Sequence, residues 1–268
     1  MTEGWDCHGH VFGPYERYPL ATGRSYTPPE ALLPDYLSQL ARLGLSHGVL
    51  VHPSAYGGDL SLLLDVLAAQ PRLRGVIVAR PGELSTLNGL HDAGVRALRF
   101  SHRSGAATNF QGSASFEDLL TLAPSMAAAG LHAELWTDCK VLPDIAPQLS
   151  ALPFPVVIDH MGGFDVDAGI DDPNFRILLS LVESGKVWVK LCAYRNLLKA
   201  ASMEQGLPFH QALVAANPAQ LVWGSDWPHL NVAPAPDALQ LLELMMRWTA
   251  NDDITQQILV RNPNVLYS

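Results

Sequence analysis

Short apolar runs alternate with longer amphipathic segments along the chain, one pair every few tens of residues. The short runs are apolar at consecutive positions, as in strands covered on both faces, whereas the longer segments repeat apolar residues at helical spacing. This alternation is typical of βα units around a parallel sheet. We therefore predict eight strands, at residues 4–11, 48–53, 74–79, 97–102, 132–136, 155–160, 187–191 and 221–224.

The segments between these strands predict helices, at residues 28–43, 60–70, 83–93, 116–129, 142–149, 172–184, 209–216 and 237–249. Prolines at 28 and 29 open the first segment, and glycines at 44, 94, 130 and 185 follow four of them, as is usual at helix ends. Eight βα units in 268 residues indicate one (β/α)8 TIM barrel domain over residues 1–268. The alternative is an open doubly wound sheet, but its dinucleotide-binding form would show Gly-x-Gly-x-x-Gly after the first strand.

Composition narrows the class of protein further. The chain is 48% hydrophobic, with 26 acidic and 17 basic residues and a formal net charge of −9. With no basic run, we expect no nucleic-acid partner. The N-terminal sequence lacks a signal-peptide pattern and no apolar stretch could span a membrane, so we expect a cytoplasmic protein without a membrane partner. Three widely spaced cysteines indicate reduced thiols, and the sequence leaves a homo-oligomer open.

Histidines and one carboxylate stand at predicted strand ends. His8 and His10, two residues apart at the end of strand one, would point to a shared space. His160 ends strand six, and Asp226 follows strand eight. Active sites of (β/α)8 barrels lie at the carboxyl ends of the strands, so we expect these four side chains to converge. Such a set suits either a divalent metal or a site that moves protons and polarises a carbonyl.

Three segments together resemble the amidohydrolase superfamily: residues 6–13 (DCHGHVFG), 159–162 (DHMG) and 223–229 (WGSDWPH). They are most similar to the 2-pyrone-4,6-dicarboxylate lactonase group, and the resemblance extends to the final NPxxLY. It implies a hydrolase that opens a small lactone or cyclic ester carrying an acidic group. In that family pattern Asp226 would take a proton from the attacking water, while His8, His10 and His160 would polarise the carbonyl and stabilise the oxyanion.

The resemblance also bears on cofactors. The lactonase branch requires no metal, whereas zinc-dependent relatives, including decarboxylases of aromatic and unsaturated acids, bind metal at the same four positions. Two-metal members add a bridging carboxylated Lys or a Glu near the middle strands; strand four has neither, and the direction of Glu134 in strand five is uncertain. We expect no required metal, the alternative being one divalent ion, Zn or Mn, at His8, His10, His160 and Asp226. A zinc-dependent decarboxylase and a non-catalytic ligand-binding barrel are the rival hypotheses.

A small acidic substrate would need cationic anchors, for which Arg99, Arg103 and Arg195 stand at or after strand ends four and seven. Tyr26 and Arg195 match a substrate-contacting Tyr and an anion-binding Arg of the lactonase group. Trp136 and Trp227 are candidates for pocket walls against a flat ring, with barrel packing as the alternative.

The chain departs from the lactonase pattern at two places. Gly163 stands where the dicarboxylate lactonases carry an Arg, and Tyr56 stands where a His is expected. The loss of one cationic anchor favours a substrate with fewer acidic groups. Three further histidines have weaker assignments: His52 and His102 are expected to be wall residues, and His229 is expected to orient Asp226.

Overall fold

Eight parallel strands form one sheet in sequential order in the computed structural model, which describes residues 3–105 and 110–268. They are β1 (Trp5–Gly9), β2 (His47–Val51), β3 (Leu73–Ile77), β4 (Val95–His102), β5 (His132–Thr137), β6 (Val156–Ile158), β7 (Val187–Leu191) and β8 (Leu221–Trp223). The sheet closes on itself beyond β8, where Gly9 and Trp227 form a parallel bridge. The predicted (β/α)8 TIM barrel is therefore confirmed.

Helices cover the outside of the barrel. They are α1 (Leu33–Leu43), α2 (Ser61–Ala69), α3 (Phe116–Ala128), α4 (Leu142–Ala151), α5 (Pro173–Glu183), α6 (Leu207–Ala216) and α7 (Ala238–Thr249), followed by α8 (Asp252–Gln256) and α9 (Asn262–Tyr267). The last two were not predicted. Seven of the predicted helices are present, with ends shifted by a few residues. None of the helices in the described ranges is long and apolar enough to cross a membrane.

The predicted helix at residues 83–93 is wrong, because residues 80–94 form a series of turns between β3 and β4. Three glycines in this stretch have left-handed backbone, with φ of 85° at Gly82, 84° at Gly89 and 91° at Gly94. A right-handed helix cannot pass through such a position. Locally, the Asn88 N–H donates to the Thr86 hydroxyl at 3.0 Å, a bond that competes with helix formation.

Helix α1 begins five residues later than predicted. Residues before it are held extended, because Phe12 and Ala31 form an antiparallel bridge and exchange backbone hydrogen bonds of 2.7 and 3.0 Å. Pro34 then lies in the first turn, where its missing N–H is not needed. The helix ends at Gly44, whose left-handed φ of 68° closes the last turn.

Apolar side chains form one layer outside the strands and one inside the barrel. The larger layer lies between strands and helices, and a smaller one fills the inside of the barrel, formed by Trp5, Cys7, Val49, Val51, Val76, Ala97, Val157, Trp188, Val222, Leu266 and Tyr267. Tyr267 enters from the amino end of the strands and its ring lies 5.3 Å from that of His132, which starts β5 as predicted. All three cysteines are free and buried. The filled lower half leaves space for a ligand at the carboxyl end of the strands.

Candidate active site

His8, His10, His160 and Asp226 converge at the carboxyl end of the strands. The His8 ring lies 5.1 Å from the ring of His10 and 5.1 Å from that of His160. Asp226 Oδ1 lies 3.7 Å from His8 Nε2 and 3.5 Å from His10 Nε2. The structure thus brings together the four residues that the sequence selected.

Backbone contacts place β1 and the segment after β8 side by side. The Asp226 N–H donates to the His8 carbonyl at 2.8 Å. This approach needs Gly224, because a Cβ there would lie 2.5 Å from the Cβ of His8. Asp6 lies two residues before His8 in β1. It accepts hydrogen bonds from the Ser225 N–H at 2.8 Å and the Ser225 hydroxyl at 2.6 Å. The histidines of β1 and the carboxylate of Asp226 are therefore fixed relative to one another.

Two of the four residues have left-handed backbone, His160 with φ of 50° and Asp226 with φ of 59°. Met161, Gly162 and Gly163 continue this conformation with φ of 53°, 67° and 54°. Each left-handed residue other than glycine costs roughly 1–2 kcal/mol, which the surrounding contacts must offset. Such strain is concentrated at functional positions in proteins, and here it turns both side chains toward one point.

The two oxygens of Asp226 have different surroundings. Oδ2 accepts a 2.7 Å hydrogen bond from the Tyr194 hydroxyl and forms an ion pair with Arg195 Nε. Oδ1 faces the two histidines of β1. Burial would raise the pKa of this carboxyl, but the neighbouring histidine rings and the guanidinium of Arg195 outweigh burial and hold the pKa well below its usual range. Asp226 is therefore ionised at neutral pH.

His8 and His160 are neutral at physiological pH. Burial lowers the pKa of His160 to about 4, and burial together with the charge of Lys190 lowers the pKa of His8 well below 6.5. Two of their ring atoms, His8 Nε2 and His160 Nδ1, are buried without a hydrogen-bond partner among the described residues. A buried polar atom without a partner is costly, so these positions indicate a place where a ligand supplies the missing bond.

His10 has one ring nitrogen committed to the backbone. Its Nδ1 lies 2.8 Å from the Val51 carbonyl oxygen, which can only accept, so the hydrogen is on Nδ1. In the neutral ring Nε2 then carries the lone pair and faces Asp226 Oδ1. Neutral His10 can therefore accept a hydrogen bond from a water placed between them, but it cannot donate one to a carbonyl.

A layer of buried charges lies directly beneath the histidines. Lys190 Nζ lies 2.5 Å from Glu134 Oε2, 3.4 Å from Asp159 Oδ1 and 3.2 Å from His8 Nδ1. Arg99 contacts the other Asp159 oxygen, with Nε and one terminal nitrogen each at 2.8 Å from Oδ2. Glu134, whose direction the sequence left uncertain, points into the barrel toward Lys190.

Sequence reasoning missed Lys190, Asp159 and Tyr194. A signal for Lys190 was present, because a lysine inside the otherwise apolar strand Val187–Leu191 is rarely buried without acidic partners. Asp159 directly precedes His160, but its direction depends on the end of β6. Tyr194 lies in a short 3-10 turn after β7, a conformation that alternation of hydrophobic residues does not predict.

The pocket above these residues has a volume of about 320 Å³. Four of the five predicted substrate-binding residues line it. The full lining is His10, Ser25, Tyr26, Pro53, Ser54, Arg99, Phe110, Trp136, His160, Arg195, Asp226, Leu230 and Asn231. The fifth, Arg103, stacks on the Trp136 ring with its guanidinium carbon 4.4 Å from the ring centroid. The pocket is thus partly aromatic and partly cationic.

The remaining candidates have structural contacts. His52 Nε2 lies 3.0 Å from the Gly57 carbonyl, and burial lowers the pKa of this ring to about 4. The Tyr56 hydroxyl accepts a hydrogen bond from the Gly13 N–H at 2.8 Å. The His102 ring packs against Phe116 of α3 at 5.4 Å. None of the three is among the described residues that line the pocket beside Asp226, so the expected wall role of the two histidines stays a prediction.

The side chains of two residues that follow Asp226 pack on tyrosines. Tyr194 and Arg195 hold Asp226 Oδ2, and the His229 ring packs on Tyr194 at 5.5 Å, so an effect of His229 on Asp226 through Tyr194 stays a prediction. The Trp227 ring packs on Tyr36 of α1 at 5.6 Å, in agreement with the alternative of barrel packing.

Gly163 is constrained as well as unusual. Besides its left-handed φ of 54°, a Cβ at this position would lie 3.0 Å from the Asp138 Cβ and 3.2 Å from the Thr137 carbonyl oxygen. A side chain here would require left-handed backbone and a shift of Asp138 and Thr137 by a few tenths of an ångström. The local backbone therefore disfavours an Arg at this position.

Comparison with known proteins identifies the relatives of this chain. The amidohydrolase family model matches residues 5–268. The 4-sulfomuconolactone hydrolase of Rhizobium radiobacter is 34% identical, with 98% of this chain and 89% of that protein covered. The 2-pyrone-4,6-dicarboxylate hydrolase of Comamonas testosteroni is 32% identical, with 98% and 89% covered. A solved Pseudomonas putida structure, described as a candidate 2-pyrone-4,6-dicarboxylic acid hydrolase, is 33% identical with a TM-score of 0.82, covering 99% of this chain and 97% of that one.

Proposed function

The chain belongs to the amidohydrolase family, and on that premise we propose that it hydrolyses a small lactone or related cyclic ester bearing an acidic group. The observation that carries the proposal is the asymmetry of Asp226. One carboxylate oxygen is held by Tyr194 and Arg195, and the other faces His8 and His10 at the base of the pocket. This arrangement suits a fixed base that acts on a water through Oδ1.

In the proposed reaction a water lies between Asp226 Oδ1 and the lone pair of neutral His10. Asp226 takes a proton from this water as the water oxygen attacks the lactone carbonyl. When the tetrahedral intermediate collapses, the ring C–O bond breaks and Asp226 returns the proton to the leaving ring oxygen. His8 and His160, both neutral, stabilise the oxyanion that forms, because their buried ring atoms without partners become hydrogen-bonded in that step. Polarisation of the carbonyl by His10, expected from the family pattern, would require the protonated ring.

The pocket lining supports an acidic, flat substrate. Arg195 and Arg99 offer guanidinium groups, although each already pairs with a carboxylate of the protein. Trp136 and Phe110, with ring centroids 5.4 Å apart, provide an aromatic wall. The relatives from Rhizobium radiobacter and Comamonas testosteroni are named for lactones that carry a sulfonate and two carboxylates, respectively. Because Gly163 supplies no cationic side chain and its backbone disfavours one, we place a substrate with a single strong acidic group ahead of the dicarboxylate.

We further propose that this activity needs no divalent cation. His8, His10 and Asp226 offer ligand atoms within 4.8 Å of one another, which by distance alone could hold a metal. The donor set does not fit a tightly held zinc, however. Lys190 lies against Nδ1 of His8, which leaves the hydrogen on Nε2, and Arg195 already neutralises Asp226. A zinc-dependent decarboxylase, which needs that metal, is correspondingly less supported.

The test is a panel of five- and six-membered unsaturated lactones carrying a sulfonate, one carboxylate or two carboxylates, assayed with and without chelator. Product NMR identifies the ring-opened acid and separates hydrolysis from isomerisation or loss of CO2. We expect turnover of singly acidic lactones that is unchanged by chelator and lost in Asp226→Asn. Absence of ring opening across the panel, or full activity of Asp226→Asn, would overturn the proposal; the latter would favour a non-catalytic binding role for this carboxylate.

A further inference from the structure

We propose that Lys190 fixes the tautomer of His8, placing its single ring hydrogen on Nε2, where it points into the pocket. The catalytic meaning of this arrangement rests on the proposed lactone hydrolysis, but the arrangement itself can be tested without turnover. Because Lys190 acts through His8, it is a positioning residue.

Three acceptors surround the Lys190 ammonium, which is fully buried. They are Glu134 Oε2 at 2.5 Å, His8 Nδ1 at 3.2 Å and Asp159 Oδ1 at 3.4 Å. An ammonium has three N–H donors and no acceptor. Lys190 is hydrogen-bonded to Glu134 and His8, whereas Asp159 Oδ1 lies at ion-pair distance without a hydrogen bond. Nδ1 of His8 must then present a lone pair to Lys190.

A neutral imidazole carries one hydrogen, and an accepting Nδ1 leaves that hydrogen on Nε2. Nε2 of His8 is buried, has no partner among the described residues and lies on the side of Asp226 Oδ1. His8 is thereby prepared as a hydrogen-bond donor at the place where the reacting carbonyl would lie. The same hydrogen prevents Nε2 from binding a metal.

Asp159 is the competitor for this hydrogen. Its Oδ1 lies 3.4 Å from His8 Nδ1, and a carboxylate in that position normally draws the hydrogen to Nδ1 and frees Nε2 for a metal. Here Arg99 holds Asp159 Oδ2, Asp159 Oδ1 has no hydrogen-bond partner among the described residues, and Lys190 Nζ lies nearer to His8 Nδ1 than Asp159 Oδ1 does. The Lys190 ammonium therefore determines that the His8 ring hydrogen is on Nε2.

The charges of the site agree with this assignment. Three carboxylates, on Glu134, Asp159 and Asp226, pair with three cationic groups, on Lys190, Arg99 and Arg195, which gives a net charge of zero. A divalent ion would add two charges to a cluster that is already balanced. Lys190 is thus inferred to be the residue that disfavours zinc binding by His8 at this site.

The test uses ¹⁵N-histidine-labelled protein and long-range ¹H–¹⁵N correlation spectra, with the His8 signals assigned by their loss in His8→Gln. We expect the pattern of an Nε2-protonated ring in the wild type and an Nδ1-protonated ring in Lys190→Met. Zinc titration followed by calorimetry should show at least tenfold tighter binding in Lys190→Met. Lys186→Met, at an exposed lysine next to the same strand, should change neither measurement.

An Nδ1-protonated His8 in the wild type would overturn the inference, as would an unchanged Nε2-protonated ring in Lys190→Met. If the unpaired Glu134 prevents that variant from folding, Lys190→Met with Glu134→Gln removes the charge pair together and answers the same question. If His8 is protonated on Nε2 but the protein opens no lactone, the tautomer assignment holds and only the proposed function is wrong.

Discussion

Arg195 and Asp226 form an ion pair at the base of the pocket, with the guanidinium Nε against Oδ2 and Oδ1 turned toward the β1 histidines. Arg195 therefore has two effects: its guanidinium lines the pocket in which the proposed acidic substrate binds, and it lowers the pKa of Asp226. The two effects can be separated experimentally.

Arg195→Gln should raise KM for a singly acidic lactone by about 10–100-fold, the effect of losing a charge-assisted hydrogen bond. It should also move the acidic limb of the pH–rate profile to higher pH, because the pKa of Asp226 rises and the base is protonated sooner on acidification. Arg103→Gln is the matched control, since Arg103 lies on Trp136 and not on Asp226. An acidic limb in the same place for both variants would contradict this account.

The aromatic wall should contribute to substrate affinity. Trp136 lines the pocket, with Arg103 on its face and Phe110 at its edge. Trp136→Ala should raise KM by about tenfold, equivalent to roughly 1.4 kcal/mol of lost stacking, with a smaller change in kcat. Trp136→Phe should keep most of the affinity, and equal effects of the two variants would indicate a role in packing alone.

Gly163→Ala should destabilise the protein more than Gly169→Ala. Both glycines have left-handed backbone, with φ of 54° and 75°, so each variant incurs a cost of about 1–2 kcal/mol. A Cβ at Gly169 meets nothing within 4 Å, whereas one at Gly163 meets Asp138 and Thr137. In urea unfolding, the free energy of unfolding of Gly163→Ala should be lower than that of Gly169→Ala by about 1–3 kcal/mol. Equal free energies for the two variants would show that the loop at Gly163 shifts to accommodate the Cβ.

His210 should make stability fall on acidification. Burial lowers its pKa to about 4, below the value of about 6.5 in the unfolded chain. Its contribution is complete above pH 6.5 and is lost as the pH falls toward 4, by about 3 kcal/mol. His210→Gln can keep the 2.9 Å bond to Thr249 without titrating, so the wild type should lose more stability than the variant between pH 7 and 4. Parallel stability curves would refute the assignment.

The barrel and the four converging residues were predictable, because both follow from local rules. Apolar runs identify buried strands, and barrel geometry brings residues at strand ends together. His8, His10, His160 and Asp226 all stand directly at such ends. The prediction of a helix at residues 83–93 was wrong because it relied on apolar spacing alone. Gly82 and Gly89, which have left-handed backbone, were signals against a helix there.

The charges under the site could not be derived in the same way. Whether Glu134 faces Lys190 depends on the register of β5 and β7, which lie on either side of β6. Which group holds Asp226 depends on a left-handed residue and a 3-10 turn, so the sequence did not identify the contact from Tyr194. Such contacts arise from tertiary geometry and not from spacing along the chain.

The tyrosine inside the barrel floor has a consequence for how the protein is made. Tyr267 donates a 2.9 Å hydrogen bond to Glu134, which holds Lys190, which in turn contacts His8. Asp226 is the last residue proposed for chemistry to be synthesised, and Tyr267 follows well after it. Until Tyr267 has docked, a folding barrel holds its histidines above a Glu134 that lacks this hydrogen bond. The site is thus complete only once the floor of the barrel has closed.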